Sequence, residues 1–144
     1  MYFVTCRKFQ EAVLKVSIPK VHQGGIFALH ADLALGQFLS GGENGIMKLF
    51  DVQSGRCVTV LKEHTGPIYR IIDVKGKILS ASLDKSYVLW DLSKRDIERV
   101  IPNRHHFETG FFPIGDMVFD SVNCAVISVA SGDLAFSIVK FKNI

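Results

Sequence analysis

Twelve residues from Ser40 to Asp51, SGGENGIMKLFD, superpose without a gap on SASLDKSYVLWD, Ser80 to Asp91, at an offset of 40 residues. Phe50 falls on Trp90 and Asp51 on Asp91. A period of this length marks a supersecondary unit copied along the chain, and such units bury their apolar faces by stacking on one another. The apolar runs within each copy are short and bounded by turn residues, the pattern of strands. The first copy reads as strands Ile26 to Leu29, Gln37 to Gly41, Ile46 to Val52 and Cys57 to Leu61. The second reads as Pro67 to Val74, Ile78 to Ser82, Ser86 to Leu92 and Asp96 to Ile101.

Turn chemistry agrees with that division. Gly42-Glu43-Asn44-Gly45 reads as a tight hairpin, because Asn-Gly readily adopts the two positive φ values of a type I′ turn. Lys75-Gly76-Lys77 and Leu83-Asp84-Lys85 turn the second copy. Ala31 to Gln37 has helix formers but is short and holds Gly36, so in the repeat register it is a turn between strands. The third copy is weaker. Met117 to Phe119 and Cys124 to Val129 read as strands, Ser131-Gly132-Asp133 as a hairpin turn, and Leu134 to Phe141 as the last strand. Ser128, Gly132 and Ile138 keep the spacing of Ser80, Asp84 and Trp90. At the other end, β-branched Val13, Val16 and Ile18 favour a strand that Pro19 stops. The chain divides into a partial strand region at 1–21 and units at 22–61, 64–101 and 105–144.

The stretch HTGPIYRIIDVKGKILSASLDKSYVLWD, His64 to Asp91, resembles one WD40 repeat: a histidine in the leading loop, a Trp-Asp pair and a period near 40. The resemblance implies an all-β chain of three WD40-like four-stranded blades, an incomplete or partial β-propeller. It also implies a buried hydrogen-bonded network of His64, Ser80, Asp84 and Trp90. Its chemistry is sensible in itself: a carboxylate fixes the imidazole tautomer, the other ring nitrogen takes the serine hydroxyl, and the indole N–H finds an acceptor. The first blade carries a partial copy, His22, Ser40, Asn44 and Phe50, in which Phe50 has no N–H and Asn44 no charge. Gly132 and Ile138 remove the network from the third.

Each chemically suggestive group has a plainer reading. His64, Ser80 and Asp84 are the residue types of a nucleophilic triad, but Ser80 sits inside a strand with no Gly-x-Ser-x-Gly elbow around it, so a structural role is preferred. His105 and His106, near Glu108 and Asp116, are metal-ligand types, yet adjacent side chains on an extended chain point apart. Gly24-Gly25, Gly41-Gly42 and Gly45 match no phosphate loop. No catalytic, metal or cofactor residue is expected. Phe107, Phe111 and Phe112, with His105 and His106, form a candidate partner-binding loop or a cover for blade edges.

Composition narrows the classes further. No apolar run approaches the roughly 20 residues of a membrane helix, and MYFVTCRKF does not open a signal peptide. Cys6, Cys57 and Cys124 are odd in number and widely spaced, which suits a reduced intracellular compartment, with the cytoplasm preferred to the nucleus. Net charge is only +3, and in the densest basic segment Asp96 and Glu98 interleave with Lys94, Arg95, Arg99 and Arg104. That disfavours a nucleic-acid-associated binding module. Closed propellers typically use about four to eight blades. Three blades therefore suggest a piece of a longer or truncated WD40 protein, acting as a non-catalytic protein–protein interaction scaffold or adaptor. The alternative is a small adaptor that completes its ring as a homo-oligomer.

Overall fold

The computed structural model describes residues 17–32, 35–94, 96–102, 114–130 and 136–142. They form β1 (Ile26–Asp32), β2 (Gln37–Gly42), β3 (Ile46–Asp51), β4 (Cys57–Lys62), β5 (Ile68–Val74), β6 (Lys77–Ser82), β7 (Ser86–Asp91), β8 (Asp96–Pro102), β9 (Ile114–Asp120), β10 (Ala125–Ala130) and β11 (Ser137–Lys140). Three antiparallel meanders result: a four-stranded sheet β1-β2-β3-β4, a second β5-β6-β7-β8, and a three-stranded sheet of β9, β10 and β11. Innermost strands neighbour one another from sheet to sheet, β1 beside β5 and β5 beside β9. Ser17 and Ile18 are irregular and lead into a turn at Pro19 and Lys20, so the expected N-terminal strand does not reach them; the rest of that strand lies outside the described residues.

The first two sheets share their defects as well as their strands. Bulges fall between Ile26 and Ala28 and between Leu49 and Phe50 in one. They fall between Ile68 and Arg70 and between Leu89 and Trp90 in the other. The hairpin at Gly42 is not the expected type I′ turn. Only Gly45 has positive φ (75°), and its N–H donates to the Gly42 carbonyl, giving a three-residue loop closed by a left-handed residue. Lys85 (φ 68°) closes the matching loop of the second sheet in the same way. Glycine is needed at 45 for a second reason: a Cβ there would lie 2.3 Å from the His64 carbonyl oxygen of the next sheet. The paired positive φ values of a type I′ turn occur instead at Lys75 (53°) and Gly76 (78°), joining β5 to β6 in two residues.

Alternation along each strand sends side chains to two faces. In β7, Val88 and Trp90 turn toward the first sheet, where they meet Leu39, Met47, Leu49 and Leu61. Tyr87 and Leu89 turn the other way, onto Met117, Val126 and Phe141 of the third sheet. Truncating a buried leucine such as Leu39 or Leu79 at either joint is worth on the order of 2–5 kcal/mol.

The third sheet slips relative to the sequence alignment. Ser80 pairs with Val88, whereas Ser128 pairs with Ser137, one residue further along. Val139, not Ile138, therefore occupies the place of Trp90, and it packs partly buried against the second joint. Ile138 points outward and is exposed. A one-residue change in hairpin length moves every side chain to the opposite face, which spacing alone does not reveal. The expected Ser131-Gly132-Asp133 turn lies outside the described residues, as do His105, His106, Phe107, Phe111 and Phe112.

Candidate functional site

In the second blade the leading loop before β5 brings His64 against β6 and the β6–β7 turn. His64 Nδ1 lies 2.9 Å from Asp84 Oδ2, His64 Nε2 is 2.8 Å from Ser80 Oγ, and Trp90 Nε1–H donates to Ser80 Oγ at 2.8 Å. One arrangement of protons satisfies all of these: indole N–H to serine oxygen, serine O–H to imidazole Nε2, and imidazole Nδ1–H to carboxylate. It requires a neutral ring. Burial pushes the His64 pKa below its ordinary value, against the opposing pull of Asp84. Burial also works against the Asp84 charge, but hydrogen bonds from Ser86, the Thr65 amide and His64 outweigh it and hold the carboxyl below the usual carboxylate range.

Asp84 thus ties three segments together. Its Oδ2 also accepts the Thr65 amide at 2.9 Å, and its Oδ1 accepts the Ser86 amide and hydroxyl at 3.0 and 2.6 Å. Ser82 Oγ donates to the Gly66 carbonyl at 2.8 Å, a further clasp between turn and leading loop. The aspartate of the Trp-Asp pair has a separate task. Asp91 Oδ1 accepts from the amide and hydroxyl of Ser93, as Asp51 does from Ser54, so each caps the turn that leaves its strand.

The first blade holds the partial set. His22 Nε2 is 2.7 Å from Ser40 Oγ, but the buried His22 Nδ1 has no hydrogen-bond partner among the described residues. Burial first, then Lys48, lowers the His22 pKa, while neighbouring Asn44 offsets a little. Phe50 stacks on Phe38 at 5.1 Å, at the place where Trp90 makes its hydrogen bond. Glu43 supplies a substitute tie by accepting the Gly25 amide at 2.9 Å.

His64, Ser80 and Asp84 have the connectivity of a catalytic triad without its access. Ser80 is fully buried, its oxygen takes the Trp90 N–H, and burial keeps a substrate carbonyl from reaching it. Among the described residues, no cluster of three His, Cys, Asp or Glu side chains is placed to hold a metal ion.

The outer faces carry exposed apolar side chains that sequence reasoning missed. Strand register makes Leu29 the counterpart of Ile71, since each pairs with the middle serine of its blade. Ile71 is 5% exposed against the first blade, whereas Leu29 is 68% exposed. Ile18, Val21, Leu29, Phe38, Phe50 and Ser40 line a pocket of about 260 Å³ on that same face. At the other end, Phe136 takes the place of Tyr87, yet it is 75% exposed against 1%. Ile138 and Val118 lie exposed as well. Tyr87 itself crosses the second joint, its hydroxyl 2.7 Å from Ser128 Oγ, a contact that no alternation pattern announces. The exposed positions carried a signal, since each is an apolar residue at a repeat position that the described residues leave exposed.

No family model matches the chain. The chain is similar to the crystal structure of the WD40 β-propeller domain of Doa1, with a TM-score of 0.68 at 23% identity over 85% of this chain and 39% of that one. The fold is therefore of the WD40 β-propeller type, a partial all-β propeller. In sequence, the chain is 29% identical over 117 residues to mitochondrial division protein 1 of Pyricularia oryzae, covering 81% of this chain and 17% of that protein. It is 33% identical over 76 residues to mitochondrial division protein 1 of Neurospora crassa, covering 52% and 12%. It is 30% identical over 106 residues to the periodic tryptophan protein 2 homolog of Dictyostelium discoideum, covering 66% and 12%. The chain thus spans a small part of the length of these relatives.

Proposed function

We propose that the chain is a non-catalytic scaffold for protein–protein interaction, a run of blades from a longer WD40 protein. One observation carries the reading: the joints between blades bury their apolar side chains, while Leu29 and Phe136, at the repeat positions of buried Ile71 and Tyr87, lie exposed. Exposed apolar faces of this size favour binding to protein surfaces. The His64 network serves this role only by holding its blade in shape. Free thiols at Cys57 and Cys124 fit a reducing, intracellular setting, with the cytoplasm preferred. Similarity to the mitochondrial division proteins is confined to 17% or less of their length, so no division role is carried over.

A second reading, a small adaptor completing its propeller by oligomerising, is favoured by the presence of both open faces on one chain. The interaction role is tested by affinity capture from cells followed by mass spectrometry, using this chain and any longer form as bait. A reproducible set of captured proteins is expected. Recovery of nothing beyond a bait-free control contradicts the scaffold reading.

A further inference from the structure

Corresponding turns of the second and third blades bring an amine against a thiol. Lys75, in the turn between β5 and β6, and Cys124, in the turn between β9 and β10, both have positive φ, 53° and 49°. Across the second joint Lys75 Nζ–H donates to Cys124 Sγ at 2.9 Å. The Cys124 S–H points to the Ser121 carbonyl at 3.9 Å, so its proton lies toward the backbone while the sulfur lone pairs face the lysine. The Cys124 carbonyl accepts the amide of buried Phe141 at 2.8 Å, which anchors the sulfur's backbone to the third sheet. Cys124 is half-buried and Lys75 exposed, so a small solute reaches the pair. Cys57 offers an internal contrast: it is exposed, but its thiol turns back on its own strand, toward the Thr59 carbonyl.

We propose that Lys75 and Cys124 form a reversible covalent latch between the second and third blades, set by hydrogen peroxide. Peroxide converts a thiol to a sulfenic acid and water, and a sulfenic acid condenses with a neighbouring nucleophile. The neighbour here is an amine already touching the sulfur. Lys75 Nζ attacks Cys124 Sγ, and the N–S bond forms as the S–O bond breaks. The hydroxyl leaves as water with one proton of the ammonium, and a second proton passes to solvent. Sulfur is the atom oxidised and peroxide oxygen the atom reduced. A thiol reverses the latch by attacking the sulfur, which returns the amine and leaves a disulfide that a further thiol reduces. Capture by Lys75 also keeps Cys124 from the sulfinic acid, a state that thiols do not reverse. The latch reinforces a joint whose other polar ties, Tyr87 to Ser128 and Arg70 to the Gly115 carbonyl, are non-covalent.

Peptide mass spectrometry of the purified chain after peroxide treatment tests this directly. A peptide pair joined through Lys75 and Cys124 is expected, lighter than the sum of its parts by two hydrogens and released by a thiol reductant. Lys75→Arg should lose the joined pair and carry Cys124 on to sulfinic acid, with Cys57 oxidised to the same extent in both chains. Absence of the joined pair from the parent chain overturns the proposal. So does recovery of the Cys124 thiol by reductant to the same extent in Lys75→Arg as in the parent.

Discussion

Blades one and two have the same strand order, the same bulges and the same three-residue turn between their second and third strands, yet they are locked differently. Blade two runs an unbroken hydrogen-bond path from Trp90 through Ser80 and His64 to Asp84. Blade one keeps the middle of that path, His22 and Ser40, and loses both ends. Phe50 replaces the donor with an aromatic stack, and Glu43 ties the turn to the leading loop where Asp84 would. The backbone contact is common to both: Glu43 N–H donates to the Gly25 carbonyl at 2.8 Å and Leu83 N–H to the Pro67 carbonyl at 2.9 Å. The blade fold thus requires the strand pattern and that backbone clasp, and the polar network is added strength.

The comparison breaks most visibly at its central serine. Ser80→Ala strands a buried indole N–H and a buried imidazole nitrogen together, and should cost about 3 kcal/mol. Ser40→Ala strands one imidazole nitrogen and should cost about 1 kcal/mol. Urea denaturation of the pair gives both values, and a larger loss from Ser40→Ala contradicts the account. Trp90→Phe should move blade two toward blade one at a smaller cost of about 1–2 kcal/mol, since Ser80 keeps its bond to His64. A loss above that of Ser80→Ala would mean that packing, not the hydrogen-bond path, dominates at Trp90.

Acidification sharpens the comparison through His64. Its folded pKa lies below the ordinary 6.5, so between those values the unfolded chain binds a proton that the native ring refuses. Stability is full above pH 6.5 and falls as the pH drops toward the folded value, with a slope of at most about 1.4 kcal/mol per pH unit for one ring. Burial lowers His22 too and adds a contribution of the same sign. Asp84, held below its ordinary 3.8, extends the loss to still lower pH. The urea midpoint should fall from pH 7 to pH 5. A midpoint that rises toward acid would show that the histidines are charged in the folded chain.

Much of this was legible in the residues. The gapless superposition of SGGENGIMKLFD on SASLDKSYVLWD contains the blade and the Phe50–Trp90 equivalence. His64, Ser80, Asp84 and Trp90 could be named through the resemblance to a WD40 repeat, with hydrogen-bonding chemistry that agrees with it. The third blade was misaligned by a residue because its hairpin is longer, and spacing cannot distinguish Ile138 facing out from Val139 facing in. Asn44-Gly45 suggested a type I′ turn, but the ladder demanded three loop residues, and the type I′ turn fell to Lys75-Gly76. Leu29 and Ile71 look alike as letters. Only the stacking of blades exposes one and buries the other.

The account turns on the claim that the His64 network holds its blade together and that its partial copy does less. Equilibrium denaturation of Asp84→Ala beside Asn44→Ala tests it most directly. Asp84→Ala should lose about 2–3 kcal/mol, because it takes the carboxylate from the buried His64 Nδ1–H, leaving it only the longer contact with Ser86 Oγ at 3.1 Å, and releases the Thr65 amide. Asn44→Ala should lose less than about 1 kcal/mol, since the hydrogen bond its side chain accepts from the Ile46 amide is long, at 3.3 Å. Equal shifts in the two midpoints would contradict the account.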